Sequence, residues 1–136
     1  MLITRETDYA LRILRTLSCG DAFTASDLAE RESLPQNFTY KILKKLENAG
    51  IIKISRGSSG GCSLIVDLKT ITLFQLINSV ETNALLTTCM KHGYKCEWRE
   101  KRKADCKVHN QLEKVQKKID EQLKACNLHW VLFGDE

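Results

Sequence analysis

The sequence predicts a mainly α-helical fold with one small β-hairpin: a winged helix-turn-helix head followed by a long C-terminal helix. Three observations carry this reading. Two short amphipathic segments flank the break Ser33-Leu34-Pro35, as helices joined by a tight turn do. Two β-rich runs follow directly, Ile51–Ser55 and Cys62–Val66, with the glycine-rich tip Arg56-Gly-Ser-Ser-Gly-Gly61 between them. Finally Val108, Leu112, Val115, Ile119, Leu123 and Cys126 recur at steps of three and four over about five helical turns.

The individual elements have local reasons. Thr4 can cap a first helix over Thr4–Ser18, with Ala10, Ile13, Leu14 and Leu17 on one face and Gly20-Asp21 ending it. Thr24 with Asp27 resembles a capping box and opens a second helix reaching about Glu32. Pro35 suits a helix start, so the third helix is expected from Gln36 to Asn48. Phe38, Ile42, Leu43 and Leu46 form its apolar stripe, and Gly50 stops it. After the turn Asp67–Thr70, Thr72 and Gln75 form another capping box for a helix burying Leu73, Leu76, Ile77 and Val80. From Cys89 to Cys106 periodicity is lost, and a polar, basic loop is expected. Three parts follow: a head over 1–81, a cysteine-containing segment over 82–107, and a dimerisation helix with its tail over 108–136.

Bulk properties narrow the class. The chain has 136 residues, 43% hydrophobic and 28% charged, as one soluble domain would. No run is long and apolar enough for a membrane span or a secretory leader, so the expected location is cytoplasmic. The net charge of +4 permits nucleic-acid binding without requiring it. Position is more telling, because Lys41, Lys44, Lys45, Lys53 and Arg56 crowd one short region. A second basic run spans Arg99–Lys107.

A helix that reads a major groove presents polar and cationic side chains from its N-terminal end. Gln36, Asn37, Thr39 and Tyr40 stand there as candidates, with Lys41, Lys44 and Lys45 for phosphates. Arg56, Gly57 and Ser58 form a tip that suits a minor groove. The competing reading of the helix is an ordinary solvated face. The glycine run is not a phosphate loop, because it leads into a strand and not a helix N-terminus.

Leu2-Ile-Thr4, Thr7-Asp-Tyr-Ala-Leu-Arg12, Leu34-Pro35, Leu46-Glu-Asn-Ala-Gly50, Arg56-Gly-Ser-Ser-Gly-Gly61, Ile71-Thr-Leu and Val80-Glu81 together resemble the IscR/NsrR superfamily of bacterial transcription factors, the Rrf2 type. The resemblance covers nearly the whole chain, and the Arg-Gly-x-x-Gly-Gly wing is its most specific part. It implies a homodimer with paired heads and crossed C-terminal helices, bound to a palindromic site in double-stranded promoter DNA. Two departures stand out. Cys62 occupies a position where the family usually carries an aromatic. Tyr40 falls where the cluster-biogenesis branch has a glutamate for base readout.

Of six cysteines, Cys89, Cys96 and Cys106 lie in the segment before the last long helix. In cluster-bearing members of the family, three cysteines in this place ligate an iron–sulfur cluster, [2Fe-2S] or [4Fe-4S]. The resemblance offers two fourth ligands. His109 stands three residues after the last cysteine, as in the cluster-biogenesis branch. Asp8 matches the nitric-oxide-sensing branch, where the partner subunit supplies it. The pattern C-x6-C-x9-C has a longer second gap than the family's usual one. Zinc held by three cysteines and a histidine, thiols activated by Lys91, Lys95 and Lys103, and no cofactor at all remain open. His92 is a weaker substitute for His109, and Trp98 either packs over a cofactor or meets a neighbouring subunit. Cys19, Cys62 and Cys126 are expected as small buried residues. Leu128, Trp130, Val131, Leu132 and Phe133 should be covered by the core or a partner.

The expected function is therefore a dimeric DNA-binding regulator that senses iron–sulfur status, redox state or nitric oxide. The alternatives are a cofactor-free, zinc or thiol regulator, and a winged-helix protein-interaction module. An enzyme is not expected, since no Cys/His dyad or carboxylate pair has a recognisable cleft pattern.

Overall fold

The structure, a computed structural model, describes residues 2–135. Helix α1 spans Arg5–Leu17, and Thr4 caps it by accepting from the Glu6 amide at 3.1 Å. Helix α2 is Ala25–Arg31, opened by the capping box of Thr24 and Asp27. Ser33 then turns the chain with a left-handed φ of 54°, and the Leu34 amide donates to the Ala29 carbonyl at 2.8 Å. Helix α3 runs from Gln36 to Asn48, with Pro35 fixing the entry at φ −60°. These three helices form the expected helix-turn-helix.

The wing consists of β1 (Ile52–Ser55) and β2 (Gly61–Leu64), antiparallel, with Ile52 opposite Leu64 and Ser55 opposite Gly61. Phe23 extends this ribbon through a bridge to Cys62, with N–H···O distances of 3.0 and 2.6 Å. Gly60 is required sterically, because a Cβ there would collide with the Ser55 carbonyl.

Helix α4 covers Leu73–Val80 and carries the second capping box, Thr72 with Gln75. The core lies between α1, α3 and α4. Ile13, Leu14, Leu17, Ile42, Leu46, Leu76 and Val80 are fully buried there. Each such side chain stabilises the fold by about 1.5–3 kcal/mol relative to an exposed one.

Beyond α4 the structure corrects one expectation. The segment between Cys89 and Cys106 is not featureless. It contains a 3₁₀ turn at Thr88–Met90 and helix α5 at Glu97–Arg102. Six residues are too few to display a periodic stripe, and α5 buries none of them, so no signal was available. Helix α6 (Lys107–Ala125) and helix α7 (Leu128–Phe133) complete the chain.

The C-terminal tail folds back onto the head. Asn127 caps α7, the Leu128 amide donates to the Ile71 carbonyl at 2.8 Å, and the Leu73 amide donates to the Cys126 carbonyl at 2.8 Å. Leu128 is fully buried in the head's core. Trp130 and Phe133, expected to be covered, remain 46% and 45% exposed in the single protomer. Cys19 is also corrected: it lies exposed in the turn after α1, beyond the helix's buried face. Cys62 is buried as expected, and its thiol is pushed up by burial and by Glu47. Among the described residues, no helix is long and apolar enough to cross a membrane.

Candidate nucleic-acid interface and cysteine corner

Helix α3 buries Thr39, Ile42, Leu43 and Leu46, which turns the opposite face outward. Gln36, Asn37, Tyr40, Lys41 and Lys44 are exposed on that outer face, as are Arg56, Gly57 and Ser58 on the wing. The helix and the wing share one cleft of about 540 Å³. Tyr40, Lys44, Arg56 and Gly57 line it together with Thr24 and Glu47. Residues 40, 44 and 56 are thus brought to one surface by the hairpin's return across α3. Gln36 is partly engaged, donating from Nε2 to the Ser26 hydroxyl at 2.8 Å.

Two expected DNA contacts are overturned. Thr39 is fully buried, and its hydroxyl donates to the Pro35 carbonyl at 3.0 Å, so it cannot reach a base. Its phase on the helix matches Ile42, Leu43 and Leu46, which outweighs its polarity. Lys45 is turned inward. It is ion-paired with Glu6 and donates to the Val80 carbonyl at 2.5 Å, with its side chain 24% exposed. Lys41 reaches the other oxygen of Glu6 at 2.9 Å but stays over half exposed. Burial alone would raise the Glu6 carboxyl, yet the bonds and charges of Lys45 and Lys41 hold it below the usual range.

Sequence reading missed the anchor beneath this arrangement. Glu81, just past the end of α4, accepts from the Thr4 amide at 2.8 Å and from the Thr7 hydroxyl at 2.6 Å. Burial opposes its ionisation, but the hydroxyl and amide donors of Thr7 and Thr4 hold its carboxyl below the ordinary value. The partners are 74 and 77 positions apart in sequence. No local pattern could have paired them.

At the other end of the molecule, the cysteine segment meets the start of α6. Cys106 is the N-cap residue, and its Sγ accepts from the His109 amide at 3.4 Å. The His109 ring swings toward Cys89, whose Sγ lies 3.3 Å from Nδ1. Cys89 also contacts the Thr87 hydroxyl at 3.5 Å. Cys96 stands apart as the residue preceding α5 and makes no side-chain capping bond. An apolar hollow of about 460 Å³ between Trp98, Cys106 and Val108 adjoins the corner. Asp8 is elsewhere, on α1, paired with Arg12 at 3.0 Å. His92 is exposed.

Three thiols and an imidazole are the donor chemistry that an iron–sulfur cluster or zinc requires, and the Cys89–His109 contact fits it. Cys96 shares no hydrogen bond with Cys89, Cys106 or His109 among the described residues. Among the described residues, no three histidine, cysteine or acidic side chains stand close enough to hold a metal ion together.

A helix-turn-helix with a glycine-tipped wing, on a scaffold ending in a long helix, defines a winged-helix protein of the regulator class. The chain belongs to the Rrf2 family, described as an iron-dependent transcriptional regulator, whose model matches residues 3–133. It is a family of transcriptional regulators and not of enzymes. The chain is 30% identical over 95 residues to protein aau3 of Rhizobium meliloti (strain 1021), covering 68% of this chain and 62% of the relative. It is 28% identical over 92 residues to the HTH-type transcriptional regulator NsrR of Bacillus subtilis (strain 168), covering 65% and 63%. The matches therefore span slightly under two thirds of these relatives' lengths. The oxidised form of Staphylococcus aureus CymR has the same fold, with a TM-score of 0.70 at 19% identity over 100% of this chain and 99% of that one.

Proposed function

We propose that the protein is a dimeric bacterial transcription regulator that binds promoter DNA in the cytoplasm and senses through its cysteine segment. The observation that carries the DNA reading is the shared surface of α3 and the wing, with Tyr40, Lys44 and Arg56 around one cleft. Gln36, Asn37 and Tyr40 are assigned to base edges. Lys41, Lys44, Arg56 and the backbone of Gly57 and Ser58 are assigned to phosphates or the minor groove. The head, residues 1–81, reads DNA; residues 82–107 sense; residues 108–136 are the dimerisation helix, which pairs the subunits, and the tail.

The dimer reading is supported by α6. Val108 and Val115 on its apolar stripe are 68% and 46% exposed, and Gln116 is its one buried residue among those described. A second copy is the occupant that covers both stripes at once.

Cys89, Cys96, Cys106 and His109 would hold an iron–sulfur cluster, which supplies a labile, redox-active group at the start of α6. His109 is preferred to Asp8 as fourth ligand because its ring already faces Cys89, whereas Asp8 is paired with Arg12. A second reading, a thiol switch without a cluster, is favoured by the absence, among the described residues, of three potential ligands close enough to hold a metal ion together. The structural likeness to CymR, a protein described in an oxidised form, is compatible with it.

Salt-dependent binding tests the DNA reading. A dimer engaging Lys41, Lys44 and Arg56 on each head should show log affinity falling with log salt at a slope of about −5. A flat slope at every promoter fragment would favour a protein-interaction module. Anaerobic purification followed by absorption spectroscopy and iron and sulfide analysis tests the cofactor. A visible charge-transfer band abolished by His109→Ala and kept by Asp8→Ala is the expected result. Colourless protein with one zinc, or with oxidisable thiols alone, would replace the cluster reading.

A further inference from the structure

Val80 and Glu81 are the last residues of the head before the cysteine segment begins; Val80 is tied to α3, the helix proposed to face DNA, and Glu81 to the first turn of α1. Three segments meet there. Lys45, from the inner side of α3, donates to the Val80 carbonyl, one of the carbonyls at the end of α4 that lacks an intrahelical partner. A cation at a helix C-terminus is also favoured by the helix dipole. The same ammonium pairs with Glu6 in the first turn of α1, and Glu6 holds Lys41 as well. Glu81 then clasps that turn from the other side. It accepts from the Thr4 and Thr7 amides at 2.8 and 3.3 Å, from the Thr7 hydroxyl at 2.6 Å, and from the Thr4 hydroxyl at 2.9 Å. Thr7 and Val80 are fully buried, while Lys45 and Glu6 keep side-chain exposures of 24% and 14%, so the junction is partly screened from water.

We infer that Lys45 and Glu81 are positioning residues that fix the DNA-facing helix α3 to the point where the cysteine segment leaves the head. A displacement of that segment pulls on Val80-Glu81. Through the junction it changes the angle of α3 against the core. Apolar packing alone resists such a change less specifically, because it has no fixed bond directions. The inference rests on the proposed sensing role of residues 82–107, and it converts Lys45 from a phosphate contact into an internal strut.

The test uses the full-length protein and an operator duplex selected by the wild-type protein from a random-sequence pool. Two quantities are read: the salt slope of binding, and the ratio of DNA affinities between the cysteine-intact background and Cys106→Ser. Lys45→Met should leave the slope at the wild-type value, whereas Lys44→Met should lower its magnitude by about two units for the dimer. Lys45→Met and Glu81→Gln should each bring the affinity ratio to within about twofold of one, and Lys45→Arg should restore it, since a guanidinium can bridge the same two acceptors. Circular dichroism identifies any variant that fails to fold; Lys45→Gln, which keeps most of the length but loses the charge, and Glu81→Asp, which keeps the charge but shortens the reach, then serve in its place. A slope change in Lys45→Met equal to that of Lys44→Met overturns the strut. An affinity ratio that persists in both folded variants overturns the transmission. A wild-type ratio of one would sink the sensing reading and the transmission together, and the slope would still decide whether Lys45 is a strut.

Discussion

Thr39 and Lys45 show how far a side chain's chemistry misleads when its helical phase is ignored. Both are polar and both sit on α3, the helix proposed to face DNA, yet Thr39 is fully buried and Lys45 donates to the Val80 carbonyl at the end of α4. The apolar stripe was legible from Phe38, Ile42, Leu43 and Leu46. Extending its 100° phase to position 39 would have placed Thr39 inside. Its hydroxyl serves only the Pro35 carbonyl, which already accepts the Thr39 amide at 3.0 Å. Thr39→Val should therefore shift stability by no more than about 1 kcal/mol and leave DNA affinity unchanged. Denaturant unfolding and a binding titration check both parts; a tenfold loss of affinity would return Thr39 to the interface. Gly60 predicts the opposite pattern. Gly60→Ala forces the wing tip off the Ser55 carbonyl, so DNA affinity should fall at least severalfold while the head's core, remote from the tip, stays folded. A proton NMR spectrum with unchanged core resonances beside a weakened binding isotherm is the expected combination.

At the scale of elements, caps and periodicity made the head readable. Thr4, the Thr24–Asp27 box, the Thr72–Gln75 box and Pro35 each start a helix where the sequence places one. The wing strands were displaced by only a residue or two. Helix α5 was illegible because six residues without a buried face carry no period. Helix α6 was legible as a stripe, but a stripe does not say what covers it. At 1.5 Å per residue its 19 residues extend about 28 Å, and Val108 and Val115 face outward along it. Charge placed on that face should break the proposed dimer without unfolding the head. Val115→Lys is expected to shift the mass in light scattering toward a monomer at micromolar concentration, with the winged-helix core unaffected. An unchanged mass would mean that α6 is covered by something other than a second copy.

For the whole molecule, long-range polar pairs matter most, and they were the least legible part. The Glu81 clasp spans more than 70 positions and leaves no local pattern, while Cys89 and His109, 20 positions apart, were grouped only through the family resemblance. These pairs give the protein a specific response to acid. Glu6 and Glu81 have carboxyl groups held below the ordinary value of 4.5, Glu6 by Lys45 and Lys41, Glu81 by the donors of Thr7 and Thr4. In the unfolded chain both return to that ordinary value. Each therefore contributes stability that is fully present above about pH 4.5 and is lost as pH falls through its depressed folded value. Protonation of Glu81 converts one acceptor oxygen into a donor facing the Thr4 and Thr7 groups, and protonation of Glu6 removes the negative charge that Lys45 and Lys41 share. Melting temperature followed from pH 7 down to pH 3 should fall most steeply below about 4.5. In Glu81→Gln the protein should start less stable at neutral pH, and the acid-dependent fall should be shallower, because one of the two titrating groups is gone. Parallel curves for wild type and Glu81→Gln would show that the clasp is not ionised in the folded state, and that the ordering of α1 against α4 has another source.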